Sequence, residues 1–205
     1  MAHMSVGEAI AARRSIRRFR PEPVTDSQVD VLLEAARLAP SAINCQPWRF
    51  KVVRDQPALD WLAADGTRNQ HWVSRAPAVF VCCADLSCFV KDQAANLRAI
   101  ADSGAMPPDM LAEVEGYVER NACAPRDLLR GAAAVNCAIA LTQMMLTAVE
   151  LGLGSTWIGM FDEPAIMERF GLHPDLAVIA LLAVGVPSEA PPARPRRDMK
   201  DILLP

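Results

Sequence analysis

One stretch limits the architecture more than any other. From Asp127 to Leu151 the chain reads DLLRGAAAVNCAIALTQMMLTAVEL, with no charge between Arg130 and Glu150. A helix of this length that is apolar nearly all round must be covered by other elements, so it is predicted to be the central buried helix. It stops at Gly152-Leu153-Gly154, where glycine permits the left-handed turn that ends a helix. Two continuous apolar runs fit buried strands beside it: AVFVCC from Ala78 to Cys83, and LAVIALLAVGV from Leu176 to Val186.

The remaining elements follow from capping and turn signals. Ser5-Val6-Gly7-Glu8 and Thr25-Asp26-Ser27-Gln28 have capping-box form. The first predicts a helix ending near Arg13 or Arg14. The second precedes an apolar stripe of Val29, Leu32, Leu33, Ala36 and Ala39. Ser41 to Pro47 is a loop, Arg49 to Val53 a strand and Pro57 to Ala64 a short helix. Leu86 to Arg120 is helical, has mixed charge and is broken by Pro107-Pro108, so it is expected to be an excursion lying over something else. STWIG at 155–159 is a short extended piece. Asp162-Glu163-Pro164 opens a helix that ends at Gly171. The tail, residues 187–205, is rich in proline and arginine and is not expected to pack into its own core. The expectation is one α+β domain over residues 1–205 with an extended C-terminal arm.

Composition bounds the function. The chain is 52% hydrophobic with a formal net charge of −3, so nothing global attracts nucleic acid or an anionic membrane. Leu176–Val186, the longest purely apolar run, is too short to cross a bilayer. Met1 to His3 are expected to be a cloning remnant, no segment reads as a secretory signal, and a cytoplasmic location is expected. The six cysteines, Cys45, Cys82, Cys83, Cys88, Cys123 and Cys137, form no C-x-x-C pair, and no metal site is expected. They read as small buried or half-buried thiols.

Against that acidic balance, five arginines crowd the segment Arg13, Arg14, Arg17, Arg18 and Arg20. Taken alone, they suit either a solvated helix end or an anion site. Arg13 and Arg17 would share a helix face if the helix ran that far, with the Ser15 hydroxyl between them. A second basic group, Arg194-Pro195-Arg196-Arg197, lies in the tail. In APSAINCQPWRF (39–50), Ser41, Asn44 and Gln46 put polar side chains on a connecting loop, suited either to an ordinary turn or to a heteroaromatic ring or sugar chain. GLGSTWIGMF (152–161) lacks the third glycine of a dinucleotide fingerprint and follows a helix, so its glycines serve close backbone approach instead. There is no nucleophile elbow and no Walker loop, and His71 and His173 have no local partners. A helix-turn-helix with residues 25–39 as one of its helices and the arginines on phosphates is the main non-enzyme alternative; the acidic balance and the apolar second half argue against it.

Five motifs in order, RRSIRRF, APSAINCQPWRF, NQHWVSRAPAVFVCCAD, LTAVELGLGSTWIGMF and LAVGVPSEAPPARPRRDMKDIL, resemble the FMN-dependent nitroreductase family across nearly the whole chain. The resemblance implies an α/β/α sandwich with a central mixed, mainly antiparallel sheet. It also implies an intertwined homodimer, with FMN at the interface and C-terminal arms exchanged. Arg13, Arg14, Ser15 and Arg17 fall on the family's N-terminal flavin contacts, and Arg194 and Arg196 on the C-terminal pair that reaches the phosphate. Ser41, Ala42 and Asn44 fall on the loop offered by the partner. Asn69, with a one-residue gap, falls near the contact to the pyrimidine edge, Gln70 being the alternative, and Trp157, Ile158 and Gly159 fall on the segment beside the ring. No catalytic side chain is implied, because the flavin carries the chemistry. The implied activity moves hydride from NADH or NADPH through flavin N5 to an electron-poor acceptor such as a nitroaromatic or quinone, by a ping-pong mechanism. A flavin-binding or redox-sensing module without rapid turnover, or a specialised family reaction, is the alternative. The excursion at residues 86–130, where the family's specificity resides, carries no feature tied to a substrate.

Overall fold

The computed structural model describes residues 4–121 and 124–204. Cys123 and residues 1–3, expected to be a cloning remnant, lie outside them.

Both capping boxes form. Ser5 caps α1 (Val6–Ala12) and Thr25 caps α2 (Asp26–Arg37), each with its reciprocal glutamate or glutamine bond. After α2 come β1 (Trp48–Val53), α3 (Gln56–Trp61), which ends in a wider π-type turn, and β2 (Ala78–Asp85). The excursion is three helices, α4 (Cys88–Lys91), α5 (Gln93–Asp102) and α6 (Pro108–Asn121). Then follow α7 (Arg126–Glu150), β3 (Gly154–Ile158), α8 (Glu163–Arg169) and β4 (Leu176–Gly185).

The strands order β1-β2-β4-β3, with every neighbouring pair antiparallel. The expected mixed sheet is thus antiparallel among the described strands. Its one parallel contact is an isolated bridge from Ser15 to Ser155, because the segment after α1 follows β3 in the same direction. Alternation along β2 sends Phe80, Cys82 and Ala84 to one face and Val79, Val81 and Cys83 to the other. The first face packs against α2 and α7, the second against α3 and α8. One extra residue on β4, Ile179, is accommodated where the β2 register shifts between Cys82 and Cys83.

Helix α7 is the central helix expected. Ala133, Cys137, Ala140, Leu141, Met144 and Ala148 are fully buried. By length and hydropathy alone this helix could cross a membrane, a possibility the shorter run at 176–186 does not raise; here its buried stripe lies on the sheet and on α2. Its other side leaves Leu128 and Val135 more than half exposed, at 61% and 63%. The tail is extended, and Met199, Ile202, Leu203 and Leu204 lie in solvent.

The five described cysteines are free and buried. Burial pushes the Cys83 thiol up to about 12, as desolvation of a thiolate requires. A hydrogen bond with Cys137, with burial added, raises Cys82 well above its ordinary range.

Candidate functional site

The site begins where α1 stops. Arg13 caps the helix in extended conformation, so Arg13 and Arg17 do not share a helix face. The helix ends here because Ile16 enters the core, at 6% exposure, and its backbone joins the sheet edge. Ile16 N–H donates to Ser155 O at 3.0 Å, and the Thr156 hydroxyl donates to Ile16 O. Gly154 makes this approach possible: a Cβ there would lie 2.6 Å from Ile16 Cγ1. In an extended segment, alternate residues share a side, which suits Arg13, Ser15 and Arg17 to one surface.

The tail is fastened to the same segment. Arg20 N–H donates to Val186 O at 2.8 Å, and Ser188 N–H donates to Arg18 O at 3.0 Å. The Glu189 carboxylate accepts from the backbone N–H of Arg17 at 2.7 Å and of Arg18 at 3.1 Å. Pro191 to Ala193 then run beside the end of α1, and the tail arginines arrive there.

The result is a cavity of about 350 Å³ lined by Arg13, Arg14, Ser15 and Arg17 from one end of the chain and by Arg194 and Arg196 from the other. The guanidinium contacts are local and uncharged. Arg14 donates to Ala11 O at 2.6 Å and Arg13 O at 2.9 Å, and Arg196 donates to Arg194 O and Pro195 O. Arg17 donates to Ser15 O at 3.5 Å and lies 5.9 Å from the centre of the Trp72 ring. Among the described residues, none of these five arginines pairs with a carboxylate. Five unneutralised forks and a hydroxyl around one small cavity suit a dianionic phosphate.

A second cavity, about 600 Å³, shares Ser15, Arg17 and Pro191 with the first and extends to Phe19, His71, Trp72 and Arg75. Just before it lies the turn at Asn69, whose φ is 64°. The Gln70 amide is committed to backbone, donating to Thr67 O at 3.0 Å and Met160 O at 2.8 Å. Asn69 is exposed. That bond, with Asp162 N–H to Gly66 O at 2.9 Å, ties the Asn69 turn to the end of β3. Ile158 is buried in the lower core and Trp157 is half-buried on the upper face, while Gly159 is exposed. Ile158 can therefore offer a ligand only backbone.

Ser41, Ala42 and Asn44 border neither cavity. Their loop is folded tightly for its own reasons. Ile43, Asn44 and Gln46 have φ of 49°, 48° and 42°, unfavourable for a β-branched residue such as Ile43. Ala42 N–H donates to the buried Asn136 Oδ1 on α7 at 2.8 Å, and Gln46 N–H donates to Ser41 Oγ at 3.0 Å. Sequence reasoning missed Glu189 as the clip for the tail and Asn136 as the post for this loop; neither has a local signal. It also missed Trp72 and Arg75, although both lie inside a motif it quoted.

Residues 10–186 match the model of the nitroreductase family. The chain is 35% identical over 181 residues to an NADH dehydrogenase of Thermus thermophilus, covering 88% of this chain and 86% of the other. Among solved structures, an Exiguobacterium sibiricum protein in complex with FMN superposes with a TM-score of 0.83 at 26% identity, covering 99% of this chain and 98% of that one. An NADPH:FMN oxidoreductase of Vibrio harveyi complexed with NAD+ gives 0.76 at 25% identity, covering 98% and 76%. The fold and these likenesses define an α+β oxidoreductase. The chain belongs to the nitroreductase family.

Proposed function

We propose that this NAD(P)H-dependent flavin oxidoreductase of the nitroreductase family holds FMN by its phosphate in the arginine cleft. The observation that carries this reading is the convergence of arginines from opposite ends of the chain on one cavity whose lining, among the described residues, contains no carboxylate. Arg13, Arg14, Ser15, Arg17, Arg194 and Arg196 bind the phosphate and the polar chain. Asn69 meets the pyrimidine edge, and the backbone of Trp157, Ile158 and Gly159 lies beside the ring. Arg17, held over Trp72, adds positive potential where negative charge gathers on that edge. The FMN bound by the Exiguobacterium protein supports the assignment.

FMN held in that cleft would supply the redox chemistry of a ping-pong sequence, linking hydride from NADH or NADPH, through N5, to an electron-poor acceptor such as a nitroaromatic or quinone. The protein supplies binding, orientation and electrostatics, with no acid or base side chain required. Ser41, Ala42 and Asn44 act on the flavin of a partner subunit, which agrees with their distance from their own chain's cleft. The working form is a homodimer. The exposed Leu128 and Val135 of α7 and the exposed Ile202, Leu203 and Leu204 of the tail are the apolar surface that a second copy and an exchanged arm would cover. The whole chain acts as one domain, with residues 86–130 as its lid, in the cytoplasm.

The test is an absorption spectrum of the purified protein reconstituted with FMN, followed by anaerobic NADH and then NADPH. Flavin bands that bleach within the mixing time are expected. A protein that never retains FMN refutes the assignment, and bands that persist with both donors refute the enzymatic reading while leaving a flavin-binding module.

A further inference from the structure

Three of the five non-glycine residues with positive φ among the described residues, Ile43, Asn44 and Gln46, fall within one loop, residues 41–46. Backbone of this kind persists only where its surroundings over-determine it, and it gathers at ligand clamps. The determining contacts run in series from the core outward. Asn136 on α7 is 5% exposed, and the other buried residues of that helix are alanine, cysteine, leucine and methionine. Its Nδ2 donates to Ala132 O at 2.8 Å, which leaves Oδ1 to accept from Ala42 N–H at 2.8 Å. From Ala42 the turn closes on itself. Asn44 N–H donates to Ser41 O at 3.1 Å, and Cys45 N–H to Ala42 O at 3.0 Å. Gln46 then fixes the exposed amide of Asn44. Its Nε2 donates to Asn44 Oδ1 at 3.1 Å. The Asn44 Nδ2 group has no partner among the described residues and is the donor left facing outward.

This prepared donor has no ligand space in its own chain, because the loop borders neither cavity. We propose that Asn136 is a positioning residue for the flavin of the partner subunit, setting the 41–46 loop so that Asn44 Nδ2 donates to an acceptor atom of that flavin. The proposal rests on the FMN reading and on the homodimer that goes with it. Helix α7 suits the task because Val135, next to Asn136, and Ile139, one turn on, are 63% and 37% exposed, surface of the kind that the same reading gives to a second copy. The post for the loop and the face toward the partner are then one rigid element, and the loop crosses to the other subunit in fixed register. Without the Asn136 bond the left-handed turn loses its hydrogen bond to the core. It can then relax toward ordinary backbone angles, which turns Asn44 away.

The experiment titrates the full chain with FMN in four forms: wild type, Asn44→Ala, Asn136→Ala and the double variant. Urea midpoints and gel-filtration volumes are recorded for each. Either single change is expected to weaken FMN binding about five- to tenfold, the scale of one hydrogen bond, with the dimer volume unchanged. In the Asn44→Ala background, Asn136→Ala should weaken it by less than about twofold further, because the donor it aims is already gone. Its fall in urea midpoint should persist in that background, so affinity and stability separate; a merely structural post would lower both in both backgrounds. Asn136→Asp keeps an oxygen for the Ala42 N–H and should restore most of the affinity. Asn136→Leu fills the same volume without an acceptor. It should repeat the loss, and it takes the place of Asn136→Ala should that variant not fold. A folded Asn136→Ala or Asn136→Leu that binds FMN like wild type overturns the proposal, as do losses that multiply in the double variant; the cofactor reading stands in either case. Full affinity in Asn44→Ala, or wild type that binds FMN as a monomer, overturns the proposal together with the role of the loop and leaves the arginine cleft. Wild-type protein that takes up no FMN overturns all three.

Discussion

Removing one arginine from each end of the chain, Arg13→Ala with Arg196→Ala, should abolish preferential binding of FMN over riboflavin. Both residues line the same 350 Å³ cavity, and among the described residues neither has a carboxylate to release. Each guanidinium–phosphate bond contributes about 1.5–3 kcal/mol net, so two independent losses would amount to roughly 3–6 kcal/mol. The residues share one anion, so the losses are not independent; the remaining arginines can shift toward the phosphate. A weakening of FMN binding by about 10²- to 10³-fold is therefore expected. Apoprotein would be titrated with FMN and with riboflavin, following flavin fluorescence, and thermal melting would establish that the variant is folded. Riboflavin lacks the phosphate, so its affinity should hardly change. An FMN affinity within threefold of wild type, or equal losses for both flavins, would refute the phosphate assignment. The single change Arg13→Lys keeps the charge but loses the fork, and should lie between wild type and the double variant.

Three further outcomes can be measured. Gly154→Ala would drive a Cβ to 2.6 Å from Ile16 Cγ1, lifting residues 15–16 from β3; overpacking of this kind costs about 1–3 kcal/mol. The urea midpoint should fall, and Ile16→Val in the same protein should not restore it, because valine keeps the Cβ, Cγ1 and Cγ2 positions that meet the added methyl; an unchanged midpoint for Gly154→Ala would refute the close approach. Truncation after Pro187 should shift the gel-filtration peak toward the monomer and lose FMN, because it removes Glu189, Arg194 and Arg196 together; an unchanged elution volume would count against the arm. Cys83 holds its proton in the folded state up to about 12, against an ordinary value of 9.0, so the folded protein binds more protons than the unfolded chain across that window. Its stabilising share is complete below pH 9 and declines as pH rises toward 12, by about 1.4 kcal/mol per unit. Urea midpoints should be flat to pH 8 and then fall, and Cys83→Ala should make the alkaline fall shallower.

What could be read in the sequence is what local physics decides. The caps at Ser5 and Thr25, the buried stripe of α2, the apolar runs of β2 and β4 and the all-round apolarity of α7 each depend on near neighbours. Of the site, both arginine clusters were visible as charge. That they would share one cavity was not, because the fasteners are long-range: Ile16 against Gly154, and Glu189 under Arg17 and Arg18. The helix end expected near Arg13 or Arg14 is where α1 stops, so the helix face that a longer helix would have given Arg13 and Arg17 does not form. Edge pairing with Ser155 takes the residues after Arg14 into the sheet instead. Trp72 and Arg75 lie in the quoted motif NQHWVSRAPAVFVCCAD, yet nothing in that string shows that Arg17 will pass over the Trp72 ring. The membrane-length character of α7 was likewise overlooked, since a few polar residues interrupt what is otherwise one long apolar helix.

The clip between Glu189 and the backbone of Arg17 spans 172 positions, and it sets a timetable. Closing so long a loop is entropically unfavourable until the elements between its ends have already compacted. During synthesis, residues 13–17 emerge well before Glu189 and the second arginine cluster. The sheet and α7 can be complete with half of the cleft still missing. A chain cut short between Gly185 and Glu189 would contain all four strands, α7 and the first arginine cluster, yet neither Glu189 nor the second arginine cluster. If the cleft takes up a phosphate-bearing ligand as proposed, that uptake would report that the clip between Glu189 and Arg17 has closed.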